Sequence, residues 1–255
     1  MWKILKICQV VSVIAFLRLR KHGFESDIEA RVMQNTKDLP GADEVETGPP
    51  HHVAIITRPA NKSFLWCGGS IVSRKFILTA AHCLENSQDA RINLYPTTND
   101  QYSVRSNKFK IHPKWQPQLL QNDIALIELP HPLRLPDLNP IELSFSAKIA
   151  SKLPATVYGW EKQDPRPIWG RYDVVIISNK DCAVFYGALI TKYTLCAKSD
   201  GQGNGCHGSS GGALVIDGLL VGIVSFGTDH CDLGYPVVYT KISRYKKWIE
   251  KNFDI

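Results

Sequence analysis

The sequence predicts an all-β fold in two halves, finished by one C-terminal helix. Short β-branched and apolar runs alternate with turn residues from His52 to about Phe145, and a second set runs from Ala155 to Ile242. Short strands at that spacing indicate a barrel or a sandwich. The stretch 130–140, PHPLRLPDLNP, is broken by prolines and marks a crossing between the two sets. A chain of 255 residues, 44% of them apolar, can bury a real core, and all-β double barrels fall in this length range.

Taken in order, residues 1–17 begin with Lys3 and Lys6 and continue as a largely apolar run from Ile7 to Leu17. That run is too short to span a bilayer and suits the apolar region of a signal peptide, with Val13 and Ala15 as small residues for cleavage. Residues 18–50 are polar and irregular and read as a pro-segment or N-terminal arm. The strand candidates of the first half are VAIIT (53–57), SIVSRKFILTA (70–80) and IALIEL (124–129). Those of the second half are ATVYGW, VVIIS, GALVI with LLVGIVSF, and VVYTKI. Asp217-Gly218 between GALVI and LLVGIVSF is a hairpin signal. A last helix is expected over 244–253, with Ser243 as its cap. Tyr245, Trp248, Ile249 and Phe253 form its apolar face, and Arg244, Lys247 and Lys251 stay outside.

The net charge of +6 comes from scattered residues. No dense Lys/Arg run with interleaved aromatics suggests a nucleic-acid groove. Of seven cysteines, Cys8 lies in the N-terminal apolar run. The other six are Cys67, Cys83, Cys182, Cys196, Cys206 and Cys231. No C-x-x-C pair points to zinc or a redox site, and the count indicates an oxidising compartment.

The stretch that carries chemistry is CHGSSGGAL, Cys206 to Leu214. Ser210 stands in a G-x-S-x-G frame between Gly208 and Gly212. Alone the pattern is weak, because such Gly-Ser clusters are usually loops. Upstream lie His82 in LTAAHC and Asp123 in NDIALI. A serine hydroxyl needs a base to become nucleophilic, and the base needs a group to orient it. The order His, Asp, Ser separates this chain from the α/β-hydrolases, whose acid and histidine follow the serine.

These pieces resemble the trypsin/chymotrypsin-family serine proteases. The matching motifs are LTAAHC (78–83), NDIALIEL (122–129), YGW (158–160), GSSGGALV (208–215), SFG (225–227) and GYPVVYTKISRYKKWI (234–249). The resemblance implies two antiparallel six-stranded β-barrels of chymotrypsin type with a C-terminal α-helix. The peptidase domain would then cover 51–255, split near 130–146. It implies a secreted, extracellular serine endopeptidase with His82 as base, Asp123 orienting it and Ser210 as nucleophile. The backbone N–H groups of Gly208 and Ser210 would form the oxyanion hole. It also implies the disulfides Cys67–Cys83, Cys182–Cys196 and Cys206–Cys231. Ser225 matches the family serine beside the triad.

The pocket for the residue before the scissile bond would be floored by Asn204 and walled by Ser225–Gly227 and Val237. No aspartate stands at the floor, and Val237 replaces a common glycine. A small or medium uncharged residue is therefore expected there. Partners would be a protein or peptide substrate and a protein inhibitor, with the chain a monomer. Nucleic acid, stable membrane association, cofactor and metal are not expected. Asn61-Lys62-Ser63 is a glycosylation sequon.

Two departures from the family pattern stand out. Ser209 replaces the aspartate before the nucleophile, and no Ile-Val-Gly-Gly-like N-terminus follows Lys37. In the family those two groups form an ion pair that orders the oxyanion loop. Losing one alone would leave a buried charge uncompensated, at about 3–5 kcal/mol; losing both avoids that cost. Two outcomes remain open: an active site shaped without the ion pair, or a weakly active or inactive homologue that binds proteins through the same cleft.

Overall fold

The computed structural model describes residues 49–59, 64–94, 101–133, 139–161, 168–199, 210–228 and 235–253. Asn61, Asn204, Cys206, Gly208, Ser209 and Cys231 lie outside them, as does everything before residue 49.

The first half forms one antiparallel sheet in the order β5-β4-β1-β2-β3-β7-β6. Its strands are β1 (His52–Pro59), β2 (Leu65–Ile71), β3 (Phe76–Thr79), β4 (Ser87–Leu94), β5 (Gln101–Arg105), β6 (Phe109–Ile111) and β7 (Ala125–Glu128). The sequence leads one to expect six strands here, and seven are present among the described residues. The difference lies at Ser106–Lys108, a single 3-10 turn that joins β5 to β6. These two strands are halves of one bent strand. The first half pairs with β4 and the second with β7, so the chain itself closes the ring. Neither glycine nor proline marks the bend, which follows from the curvature needed to reach both neighbours.

The second half is a closed barrel, β10-β13-β12-β11-β8-β9. It comprises β8 (Pro154–Glu161), β9 (Ile168–Ile177), β10 (Thr194–Ser199), β11 (Ala213–Ile216), β12 (Leu219–Phe226) and β13 (Val237–Lys241). The β11–β12 hairpin turns on Asp217 and Gly218, with φ of 49° and 77°. Two consecutive positive φ values are those of a type I′ turn, whose twist matches that of the strands it joins. Closed barrels leave no sheet edge open to pairing with other chains.

Among the described residues two large apolar clusters fill the fold, and a small third one surrounds Cys182, Cys196 and Val238. One gathers Val53, Ile55, Ile77, Leu78, Ile92 and Leu126 of the first sheet together with Ala213, Leu220 and Ile223 of the second. The other, with Val157, Ile176, Leu214, Val224 and Tyr239, lies within the second barrel. Each fully buried Leu or Ile contributes about 1.5–3 kcal/mol. The first cluster spans both halves and so fixes one barrel against the other.

The disulfide Cys67–Cys83 ties β2 to the turn that follows β3, across a separation of 16 residues. Cys182–Cys196 ties helix α1 (Asn179–Tyr186) to β10.

At the C-terminus the helix is α2, Lys246–Asn252. Ser243 does not cap it. A 3-10 turn over Ile242–Arg244 comes first, and Tyr245 occupies the cap position without a side-chain bond. The Ser243 hydroxyl is buried in that turn. The expected apolar face is present: Tyr245 and Ile249 are buried, and Phe253 stacks on Phe76 at 5.3 Å.

Candidate active site

The candidate site is assembled where the two barrels meet. β3 ends at Thr79, and a 3-10 turn over Ala81–Cys83 carries His82. Asp123 sits just before β7, after Asn122 in a left-handed conformation with φ of 58°. That kink returns the Ile124 N–H to the Asn122 carbonyl.

The Asp123 carboxylate is wholly buried and heavily hydrogen-bonded. Oδ1 accepts from the backbone N–H of His82 at 2.9 Å. Oδ2 accepts from His82 Nδ1 at 2.7 Å and from the Ser225 hydroxyl at 2.6 Å. The Thr240 hydroxyl donates to the Asp123 carbonyl at 2.7 Å. A buried carboxylate is costly unless paired and bonded, and here both oxygens accept hydrogen bonds, with donors drawn from both barrels. The arrangement holds His82 in the tautomer with hydrogen on Nδ1, which leaves Nε2 as acceptor. Burial pulls the His82 pKa down, but the Asp123 charge and hydrogen bond outweigh it, with help from Glu85. The net effect lies above the ordinary 6.5. The side chain stays 22% exposed, so its outer edge is open to a substrate.

Ser210 lies on the turn that precedes β11. Its carbonyl accepts from Gly68 N–H at 2.8 Å. Cys83 Sγ stands 3.6 Å from the same carbonyl and 3.8 Å from His82 Nε2. Serine backbone and imidazole edge therefore meet at one sulfur of the Cys67–Cys83 bridge. Gly211 N–H bonds to the Val224 carbonyl, and Val224 N–H to the Gly212 carbonyl, both at 2.9 Å.

This seam has no room for side chains. Gly211 has φ of 83°, and a Cβ there would run into the Gly68 carbonyl and the Thr79 hydroxyl. That hydroxyl is already bonded to the same carbonyl at 2.8 Å. Gly211→Ala should therefore combine left-handed strain with backbone overlap and destabilise the fold by about 2–5 kcal/mol. Thermal unfolding of the variant checks this. Beneath the seam, His52 lies against Gly68, and burial together with the neighbouring His51 pushes its pKa down to about 3. It is neutral at any ordinary pH.

Of the residues expected at the site, His82, Asp123 and Ser225 are joined by hydrogen bonds, and Ser210 stands beside them. Gly227 and Val237 are adjacent, since a Cβ on Gly227 would lie 3.6 Å from Val237 Cγ2. Val237 itself is buried against the second barrel. Tyr186 donates to the Pro236 carbonyl at 2.5 Å and packs edge-on against Phe226, holding this wall to α1. Sequence reasoning missed Thr240. The alternation of VVYTKI puts it on the opposite face from Lys241, but nothing in the pattern names its acceptor.

Among the described residues, one group of His and Cys atoms is close enough for a metal: Cys67, Cys83 and His82. Both sulfurs are bonded to each other, so the group is not a metal centre.

The trypsin family model matches residues 41–249. The chain belongs to the trypsin family. It is 32% identical to brachyurin of Leptuca pugilator over 231 residues, covering 82% of this chain and 96% of that protein. It is also 32% identical to a collagenase of Hypoderma lineatum, over 81% of this chain and 83% of that one. A solved HL collagenase structure superposes with a TM-score of 0.72 at 29% identity, covering 81% of this chain and 94% of that chain. The family places this chain among serine proteases with the double-barrel fold, acting on protein or peptide substrates. Among the described residues, no helix is long and apolar enough to cross a membrane.

Proposed function

We propose that this trypsin-family member is a secreted serine endopeptidase that works through His82, Asp123 and Ser210. The observation that carries the reading is the buried Asp123 carboxylate. It is bonded at once to the ring and backbone of His82 and to Ser225, with Ser210 at the same seam. His82 Nε2 takes the Ser210 proton as Oγ attacks the substrate carbonyl, and the oxyanion forms. Nε2 then gives the proton to the leaving amine as the C–N bond breaks, leaving an acyl-enzyme. Water attacks the ester by the same route and restores Ser210. The backbone N–H groups of Gly208 and Ser210 take the oxyanion, each donor worth about 3 kcal/mol.

The base must be neutral to accept a proton. Because His82 is held above 6.5, kcat/KM should climb with pH through a midpoint above that value, with activity lost on the acid side. A pH–rate profile in the range 5 to 9 (roughly the window of histidine titration) measures it.

Specificity rests on Val237 beside Gly227, with Asn204 at the floor. A branched side chain on that wall shortens the pocket, and the floor position in the sequence is Asn204 and not the aspartate that would pair with Arg or Lys. Cleavage after small or medium uncharged residues follows. Profiling purified protein against a mixed peptide library tests this. Val237→Gly should shift cleavage toward larger side chains, and a wild-type preference for Arg or Lys would overturn the assignment.

The competing reading, a binding homologue with little or no turnover, is favoured by Ser209 and by the missing N-terminal motif. It predicts stable complexes with peptides at this cleft and no cleavage.

A further inference from the structure

Outside the His82–Asp123 pair, the second barrel carries a cavity of about 300 Å³ whose walls include Ser178, Asn179, Lys192, Thr194, Lys241 and Arg244. No Asp or Glu lines it. Its neutral polar groups are already engaged. Ser178 bonds Asp181 through side chain and backbone, Asn179 donates to the carbonyls of Thr191 and Thr194, and Thr194 Oγ1 donates to Thr191.

The cations are different. Lys241 Nζ makes one bond, to the Ala147 carbonyl at 2.9 Å, and Arg244 Nε makes one, to the Lys192 carbonyl at 3.0 Å. The Lys192 ammonium lies over the Tyr193 ring at 5.3 Å. Among the described residues, none of the three forms an ion pair. Burial first, and the nearby Arg244 charge second, push the Lys241 pKa down. What the cavity offers is therefore spare N–H donors and positive charge, the requirements of an oxyanion. Exposed Lys148 follows Ala147, and exposed Lys180 follows Asn179 on α1. With the three wall cations these make five positive charges in or next to the lining segments, against the one carboxylate of Asp181 that bonds Ser178, more than one small ion can meet.

The geometry points to an anion site unconnected with peptide hydrolysis: Lys192, Lys241 and Arg244 bind a sulfate group presented on a sulfated glycan chain. Lys241 adjoins Thr240, which bonds Asp123, but strand alternation turns the two side chains to opposite faces of β13. The cavity is thus separate from the cleft.

Calorimetric titration of the full-length protein with a heparin tetrasaccharide tests this, alongside the chemically desulfated tetrasaccharide and sodium sulfate. Saturable binding of the sulfated form is expected, weakened about tenfold or more by desulfation. Lys241→Gln with Arg244→Gln should weaken it about as much. Lys192→Gln is the cleaner variant, because the bond from Arg244 goes to its backbone carbonyl and survives. It should also weaken binding, with the unfolding temperature unchanged. Unaltered affinity in Lys192→Gln and in the double variant overturns the site. Sodium sulfate binding as tightly as the tetrasaccharide assigns the cavity to a free ion and overturns the glycan. Equal competition by a single-stranded oligonucleotide would reduce it to unspecific surface charge and likewise overturn the proposal.

Discussion

Ser210→Ala is expected to lower kcat/KM for peptide hydrolysis by about 10⁵- to 10⁶-fold, the scale on which a triad nucleophile fails. The loss is large because the three residues act as a unit. Without Oγ, the oriented imidazole has no proton to take and no acyl-enzyme can form. The fold should not notice. The bonds at this position use the backbone: the Ser210 carbonyl accepts from Gly68, and Gly211 N–H donates to Val224. Alanine keeps both. An unchanged unfolding temperature with activity abolished separates chemistry from stability. A variant that cleaves like wild type would remove Ser210 from the mechanism.

Asp123→Asn should cost about 10⁴-fold in kcat, with KM little changed. Oδ1 faces a fixed donor, the His82 backbone N–H, while Oδ2 faces the His82 ring and the Ser225 hydroxyl. An asparagine has one oxygen and one NH₂. Its oxygen must meet the backbone N–H, because two donors cannot face each other. The NH₂ then faces Nδ1, which becomes an acceptor. The ring hydrogen moves to Nε2, and the imidazole can no longer take the Ser210 proton. Ser225 can rotate its hydroxyl to accept, so the local structure survives. Steady-state kinetics on the purified variant, with a circular dichroism check, reads the result. A loss of less than about tenfold would mean that Asp123 does not set the tautomer.

Much of this site was legible in the sequence because its parts fall in short runs with local causes. Asp217-Gly218 announces its hairpin, since two consecutive positive φ values favour those residue types. LTAAHC and NDIALI each pack a polar residue against buried strand positions, and a buried polar group needs a partner elsewhere. The family resemblance named the partner. The rest depends on distances that no spacing encodes. Thr240 reads as one more alternating strand residue until β13 lies against Asp123. Ser243 looks like a helix cap, but a 3-10 turn takes the chain away before the helix begins. The bent β5–β6 strand has no glycine or proline to betray it, because barrel closure and not local preference imposes the bend. Lys192, Lys241 and Arg244 look like scattered surface charge and converge only through the packing of β10, β13 and the turn after it.

Ser209 and the sequence after Lys37 bear on when the site is competent, and the nucleophile can be interrogated directly. The decisive measurement is labelling of purified full-length protein by a fluorophosphonate probe, before and after limited proteolysis, with Ser210→Ala alongside. The account predicts covalent labelling of the wild type and none of the variant. Labelling before cutting means that the site forms without the family ion pair, and labelling only after cutting means that a new N-terminus completes it. No labelling in either state, or equal labelling of Ser210→Ala, would contradict the assignment of Ser210 as an activated nucleophile.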